Sequence, residues 1–213
     1  MNTLSESEYF SGSRLEVASL VPNDVQNVLD VGCGFGGLGR ALRSKGLERL
    51  YGIELNPSAP EYLRDVYDQF WIGDVENIQL PTTLESLDCI IFADVLEHLV
   101  DPWSALNKYS KLLKPGGVVV ASIPNVQNLG LLYNLIFRGK WTYEDSGLLD
   151  RTHLRFFTRS VIQKLFQNSG LGIEIINVNL DRYSLVRRII TAIPRLFIPD
   201  LAVCQFIVRA RKS

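Results

Sequence analysis

The chain has 213 residues, room for one domain of ordinary size or for one domain carrying a large insertion. Its 22 Lys plus Arg against 23 Asp plus Glu leave a formal net charge of −1, which argues against a protein built to grip nucleic-acid phosphates. Hydrophobic residues at 46% supply a full core and set the chain apart from disordered compositions.

Cys33, Cys89 and Cys204 lie far apart with no CxxC or Cys/His spacing, which points to a reducing compartment and away from zinc or redox chemistry. The start, MNTLSESEYF, lacks the basic flank and apolar core of a signal peptide. No apolar run reaches the roughly 18 residues of a membrane span. A cytoplasmic enzyme or binding protein is the expectation.

Short apolar runs alternate with helix-like segments, the pattern of parallel βαβ units. NVLDV (27–31) reads as a buried strand running into a glycine-rich turn, followed by a helix, GLGRALRSKG, stopped at Gly46. RLYGIEL (49–55) is the next strand and 57–66 the next helix, then come strands FWIGD (70–74) and LDCIIFAD (87–94). Ala105, Leu106, Tyr109, Leu112 and Leu113 share one face of a helix over 103–113. VVVASIP (118–124) is a fifth strand, RSVIQKLFQNSG a helix, and IEIINVNL and AVCQFIVRAR two closing strands. Two connections exceed the usual 2–6 residues or so of such units, one at about 125–157 and one at about 182–199, and these are expected to form a substrate lid and a second insertion.

The turn Asp30-Val31-Gly32-Cys33-Gly34-Phe35-Gly36-Gly37 sits between a strand and a helix, where glycines let the backbone pass close to a ligand. By itself such a turn also arises for packing reasons. Asp30, Glu54, Asp74 and Asp94, however, fall at the carboxyl ends of four successive strands, the edge where open α/β sheets bind ligands. One such acid is commonly a helix cap, as Asp101 before Pro102 is expected to be; four in phase are not. A carboxylate at Asp30 repels a pyrophosphate, which disfavours NAD. It suits a ligand with an ammonium and no phosphate, and S-adenosylmethionine is such a ligand.

DVGCGFG, YGIELNP, GDVE, DCIIFADVLEHLVDP and LKPGGVVVASIPN together resemble the class I S-adenosylmethionine-dependent methyltransferases, over about Val28 to Asn125. The DVLEHL stretch is similar to that of the ubiquinone-biosynthesis O-methyltransferases. The segment from Arg138 to Thr158, with its LDRTHLRFFT, resembles a subgroup associated with bacterial polysaccharide systems. The resemblance implies a single α/β domain over 1–213, with an N-terminal cover at 1–26. Its expected fold is a Rossmann-like seven-stranded, mostly parallel sheet flanked by helices, the last strand antiparallel, with lid insertions. It also implies that Asp30, Gly32, Cys33, Gly34 and Gly36 frame the methionine part of the cofactor. By the same resemblance Glu54 takes the ribose, Asp74 the adenine amine with Val75 packed beside the adenine, and Asp94 the methionine end of the cleft, with Leu55 a further cofactor contact.

Methyl transfer to a hydroxyl needs an aligned oxygen and somewhere for its proton to go. Of the two histidines, His153 in the lid is the candidate catalytic residue, as base or as the group orienting the substrate; the alternative is a histidine that only holds the lid backbone. His98, after Asp94 and Glu97, reads as support or as lining of the cofactor cleft. Trp141 and Tyr143, with Phe156, can face a sugar ring or form the lid's own small core. Arg151 and Arg155, with Arg138, can hold a phosphate or be salt-bridged. Glu144, Asp145 and Asp150 are too few to argue for a metal, and none is expected. Tyr9, Phe10 and Arg14 are candidates to close over the cofactor. Arg187, Arg188 and Arg195 in 183–199 allow contact with a membrane surface, but a buried helix with an arginine face is favoured.

The expected function is O-methylation of a hydroxyl on a saccharide, nucleotide sugar or related small molecule, with no nucleic-acid partner. The alternatives are a non-catalytic methyltransferase-like partner protein and a quinone or aromatic O-methyltransferase.

Overall fold

Seven apolar runs long enough to cross a sheet pair into one sheet in the order β3-β2-β1-β4-β5-β7-β6. The structure is a computed structural model and describes residues 14–82, 84, 86–180 and 199–213. Tyr9 and Phe10, and all but Pro199 of the 182–199 insertion, arginines included, lie outside the described residues.

The strands are β1 (Asn27–Val31), β2 (Arg49–Glu54), β3 (Gln69–Ile72), β4 (Leu87–Ala93), β5 (Leu113–Pro124), β6 (Leu171–Leu180) and β7 (Val203–Lys212). β1 pairs parallel with β2 and β4, and β7 runs antiparallel to both β5 and β6. The expected seven-stranded sheet with an antiparallel last strand is therefore present. The chain leaves β1 towards β2 and β3 and then returns to the other side of β1 as β4. That reversal opens a crevice beyond the carboxyl ends of β1 and β4, the place where ligands bind in such sheets.

Helices cover both faces, so the central strands read as continuous apolar runs. Ile90 and Phe92 of β4 point into one core with Leu106 and Tyr109 of α4 (Pro102–Ser110) and Ile162, Leu165 and Phe166 of α6 (Arg159–Asn168). Cys89 and Ile91 alternate into the other core, with Val17 of α1 (Leu15–Ala18), Leu38 and Leu42 of α2 (Gly37–Arg43) and Leu63 of α3 (Pro60–Leu63). Asp101 caps α4 by accepting from the Ser104 N–H at 3.0 Å, as its place before Pro102 predicts.

Three local expectations change. The helix at 57–66 contracts to the single turn of α3, flanked by turns. Lys114-Pro115-Gly116-Gly117 does not separate helix from strand but lies inside β5, where a register shift opposite Leu87 and Cys89 absorbs it. The long connection after β5 carries a helix of its own, α5 (Leu129–Arg138), capped by Asn128 and ended by Gly139 at φ 58°. Both signals stand in the sequence, but the helix keeps only Leu131 buried and so has no strong core face to announce it.

Candidate active site

The turn after β1 passes close under β2 because its glycines adopt positive φ, with Gly32 at 72°, Gly34 at 55° and Gly36 at 79°. A Cβ on Gly32 would overlap Cγ2 of Val95, so that position is closed to a side chain on two counts. The Ile53 carbonyl accepts from the Gly32 and Cys33 N–H groups at 2.8 and 3.0 Å and holds the turn against β2. Glu54 accepts from the Gly34 N–H through Oε2 at 2.7 Å and from the Asn56 N–H through Oε1 at 2.8 Å. Two backbone donors thus fix a buried carboxylate at the crevice while leaving lone pairs for a ligand.

Asp30 is 1% exposed and accepts from the Tyr67 hydroxyl at 2.7 Å. Burial raises its pKa to about 7; the Tyr67 bond pulls it down and the nearby Glu54 pushes it further up. Tyr67 reaches this position because Gly39 and Gly52 leave room for its ring; a Cβ on Gly39 would lie 2.6 Å from Cζ. No motif marks Tyr67. The only hint in the sequence is a glycine on the core face of α2.

Asp94 follows β4 at φ 55° and accepts through Oδ1 from the Ser122 hydroxyl at 2.7 Å and from the Gln205 side-chain amide, with Arg14 as its ion pair. Beyond it a 3₁₀ turn, Leu96–His98, carries Glu97 and His98. The Glu97 carbonyl accepts from the Leu154 and Arg155 N–H groups at 2.8 and 2.9 Å, which docks the 125–157 connection onto the turn. That connection is closed at its base, where Val126 N–H donates to the Phe157 carbonyl at 2.9 Å. Docking brings His153 against His98, ring centroids 4.7 Å apart and nearly perpendicular.

His98 Nδ1 lies 3.2 Å from the Thr152 carbonyl and 3.0 Å from the Thr152 hydroxyl, whose proton is given to Asp150 Oδ1 at 2.6 Å. The hydroxyl can therefore only accept from His98, so Nδ1 bears the ring proton. His153 Nδ1 lies 3.2 Å from the Leu148 carbonyl, which assigns it the same tautomer. Burial, and then His153, pull the His98 pKa below its ordinary value. Glu97 is 1% exposed, and its Oε2 has no hydrogen-bond partner among the described residues. Burial pushes its pKa up to about 8.

These groups enclose a cleft of about 610 Å³. Among the described residues five carboxylates line it, Asp30, Glu54, Asp94, Glu97 and Asp150, against one arginine, Arg14. Gly32, Cys33 and Gly34 form its β1 side, Cys204 and Gln205 of β7 and Asn179 of β6 its far side, and Ser146, Gly147, Leu148 and His153 its lid side.

The cleft thus gathers His153, Asp30, Gly32, Cys33, Gly34, Glu54 and Asp94 from the residues singled out in the sequence. Gly36 stands behind it as the left-handed residue before α2. Leu55 is exposed. Asp74, two residues past β3, accepts from the Glu76 N–H and the Asn77 amide. Val75 is buried, its carbonyl taken by the Tyr109 hydroxyl at 2.9 Å. Neither Asp74 nor Val75 lines the cleft.

Nor do the four residues expected to hold a substrate. Trp141 packs edge-on against Phe156 at 5.3 Å, the lid's own small core. Tyr143 is exposed, and Arg151 pairs with Asp145 at 2.6 Å on the surface. Arg155 donates through Nε to the Val100 carbonyl at 3.0 Å and lies over the Trp103 ring. Tyr67, Asn179 and Gln205, which the sequence does not mark, reach the site from positions distant in the chain, and Glu97 reaches it through the 3₁₀ turn that follows Asp94.

Sheet order, the antiparallel β7 and the crevice at β1 and β4 define a Rossmann-like methyltransferase fold of class I. The chain belongs to the methyltransferase domain family, whose model matches residues 6–174. It is 35% identical over 118 residues to an uncharacterized methyltransferase of Geobacillus kaustophilus, an alignment covering 53% of this chain and 54% of that one. It is 28% identical over 120 residues to a ubiquinone biosynthesis O-methyltransferase of Alkalilimnicola ehrlichii, covering 52% and 47%. The chain spans about half the length of the curated relatives it matches. An S-adenosylmethionine dependent methyltransferase from Mesorhizobium loti shares the fold with a TM-score of 0.65 at 18% identity, over 93% of this chain and 96% of that one. Family and fold imply S-adenosylmethionine as the cofactor.

Proposed function

We propose that the chain transfers a methyl group from S-adenosylmethionine to a hydroxyl of a small polar acceptor, a saccharide. The observation that carries this is the acidic crevice at the β1/β4 reversal, roofed on its open side by hydrogen-bonding groups of the lid.

The residues suit the cofactor. The glycine turn leaves a cradle that Val95 closes to any side chain, Glu54 keeps acceptor capacity beside it, and Asp30 offers a carboxylate to an ammonium. When bound, the cofactor would supply a methyl group already activated on a sulfonium. What remains for the protein is to align the oxygen, exclude water and take the hydroxyl proton. The groups facing the acceptor end are Glu97, His98, Asp150, His153, Asn179 and Gln205, which match several hydroxyls better than a quinone ring. His153 is assigned the direct role at the hydroxyl. Its Nδ1 is held by Leu148, which leaves Nε2 with a lone pair.

Incubation with labelled cofactor and a panel of sugar and nucleotide-sugar acceptors tests the assignment. Label in a sugar supports it. Transfer to quinols or catechols alone transfers the chain to the aromatic class, and cofactor binding with no transfer to any acceptor favours a non-catalytic partner protein. His153→Asn is expected to lose turnover while keeping its affinity for S-adenosylhomocysteine.

A further inference from the structure

We infer that Glu97, His98 and His153 form a binding site for one divalent first-row transition-metal ion at the acceptor end of the cleft. The inference deepens the reading above, on which it rests for the acceptor's place.

One ligand atom from each of the three residues lies within 4.8 Å of the others. Around a single ion, ligands at about 2.0–2.2 Å sit roughly 3–3.5 Å apart, so the three atoms need to draw together by at most about 1.5 Å to share one. The carboxylate is the second, independent sign. Glu97 is 1% exposed, and its Oε2 has no donor among the described residues. A buried carboxylate oxygen without a partner is costly, and a cation supplies the missing one.

The surroundings of the rings fit as well. An imidazole that binds a metal through one nitrogen characteristically donates its other N–H to a carbonyl or carboxylate relay, which fixes the tautomer and aims the lone pair. Both rings do so here. His153 is held at Nδ1 by the Leu148 carbonyl, and His98 at Nδ1 by Thr152, whose hydroxyl is in turn held by Asp150. Each ring keeps its Nε2 lone pair.

Two imidazoles and one carboxylate select Zn²⁺, Fe²⁺, Co²⁺ or Mn²⁺ over Mg²⁺ and Ca²⁺, which prefer oxygen. Three protein ligands leave coordination positions open, and the cleft provides the space for an acceptor oxygen. With its Nε2 lone pair given to the ion, His153 holds the metal in place of accepting the proton itself, and a hydroxyl bound to such an ion is acidified enough to release its proton to water. The oxygen then forms its bond to the methyl carbon while the carbon–sulfur pair returns to sulfur.

The test uses untagged protein freed of metal by chelator and gel filtration, titrated calorimetrically with Zn²⁺ and spectroscopically with Co²⁺. One ion per chain is expected, with visible Co²⁺ bands of nitrogen and oxygen ligation. Glu97→Gln and His98→Asn should each weaken binding by roughly 100-fold or more while S-adenosylhomocysteine affinity stays within about threefold, which verifies the fold. Should Glu97→Gln not fold, His98→Asn and the wild-type Co²⁺ spectrum still decide. Absence of stoichiometric binding, or binding untouched by these substitutions, overturns the site. Because the titration needs neither cofactor nor acceptor, such a failure leaves the methyltransferase reading standing; metal binding without S-adenosylhomocysteine binding fails that reading alone.

Discussion

Cofactor binding should expel a proton from Asp30. In the ligand-free protein burial holds this carboxyl at a pKa of about 7, so at pH 6 about nine in ten molecules carry it neutral. An ammonium brought into the cleft favours the carboxylate, so binding at pH 6 is coupled to the loss of about 0.9 proton. Affinity for S-adenosylhomocysteine, which bears the same ammonium, should rise by about tenfold, or about 1.4 kcal/mol, from pH 6 to pH 8 and then level off. Calorimetry in two buffers of different ionisation enthalpy counts the proton. Asp30→Asn removes the titrating group while keeping an acceptor for the Tyr67 hydroxyl, and should lose both the proton release and the pH dependence. Equal proton release by the wild type and Asp30→Asn would refute the placement of Asp30 at the ammonium.

The same group governs stability without ligand. Its folded pKa lies above the ordinary value of 3.8, so the fold favours the neutral form. Its stabilising contribution is complete below about pH 3.8 and is lost as pH rises through about 7. Asp30→Asn should therefore raise the melting temperature of the cofactor-free protein at pH 8, by at most about 4 kcal/mol of stability, and leave it nearly unchanged at pH 4. Gly32→Ala, facing Val95 at φ 72°, should cost about 1–3 kcal/mol in thermal melts and abolish cofactor binding. Gly46→Ala, at φ 77° in open space, should cost about 1 kcal/mol and leave binding intact. Arg155→Ala unties the lid from Val100 and Trp103, and should raise the KM for the acceptor while the affinity for S-adenosylhomocysteine stays constant. A fall in cofactor affinity alone would contradict that role.

Most of the sheet was legible because strand signals are local. LDCIIFAD and VVVASIP are apolar runs that only a doubly covered sheet accommodates, and Asp30, Glu54 and Asp94 at the carboxyl ends of β1, β2 and β4 mark its ligand edge. The helix expected at 57–66 narrows to Pro60–Leu63, because Pro60 fits only the first turn of a helix and so sets its start. Arg151 and Arg155 looked like anion ligands because charge is visible in a sequence and partners are not; the fold had already engaged them with Asp145 and Val100.

From the sequence alone came the doubly wound sheet, the glycine turn and the phase of Asp30, Glu54 and Asp94, since each depends on neighbours within a few residues. Only the tertiary structure decided the state of Asp30, through its burial, with Tyr67 bonded to it from 37 residues away. It alone joined His98 to the lid, with Thr152 54 residues away, and left Glu97 Oε2 buried between them. Burial and desolvation are properties of the assembled chain, and they turn three ordinary side chains into one polar centre beside the methyl-transfer cleft.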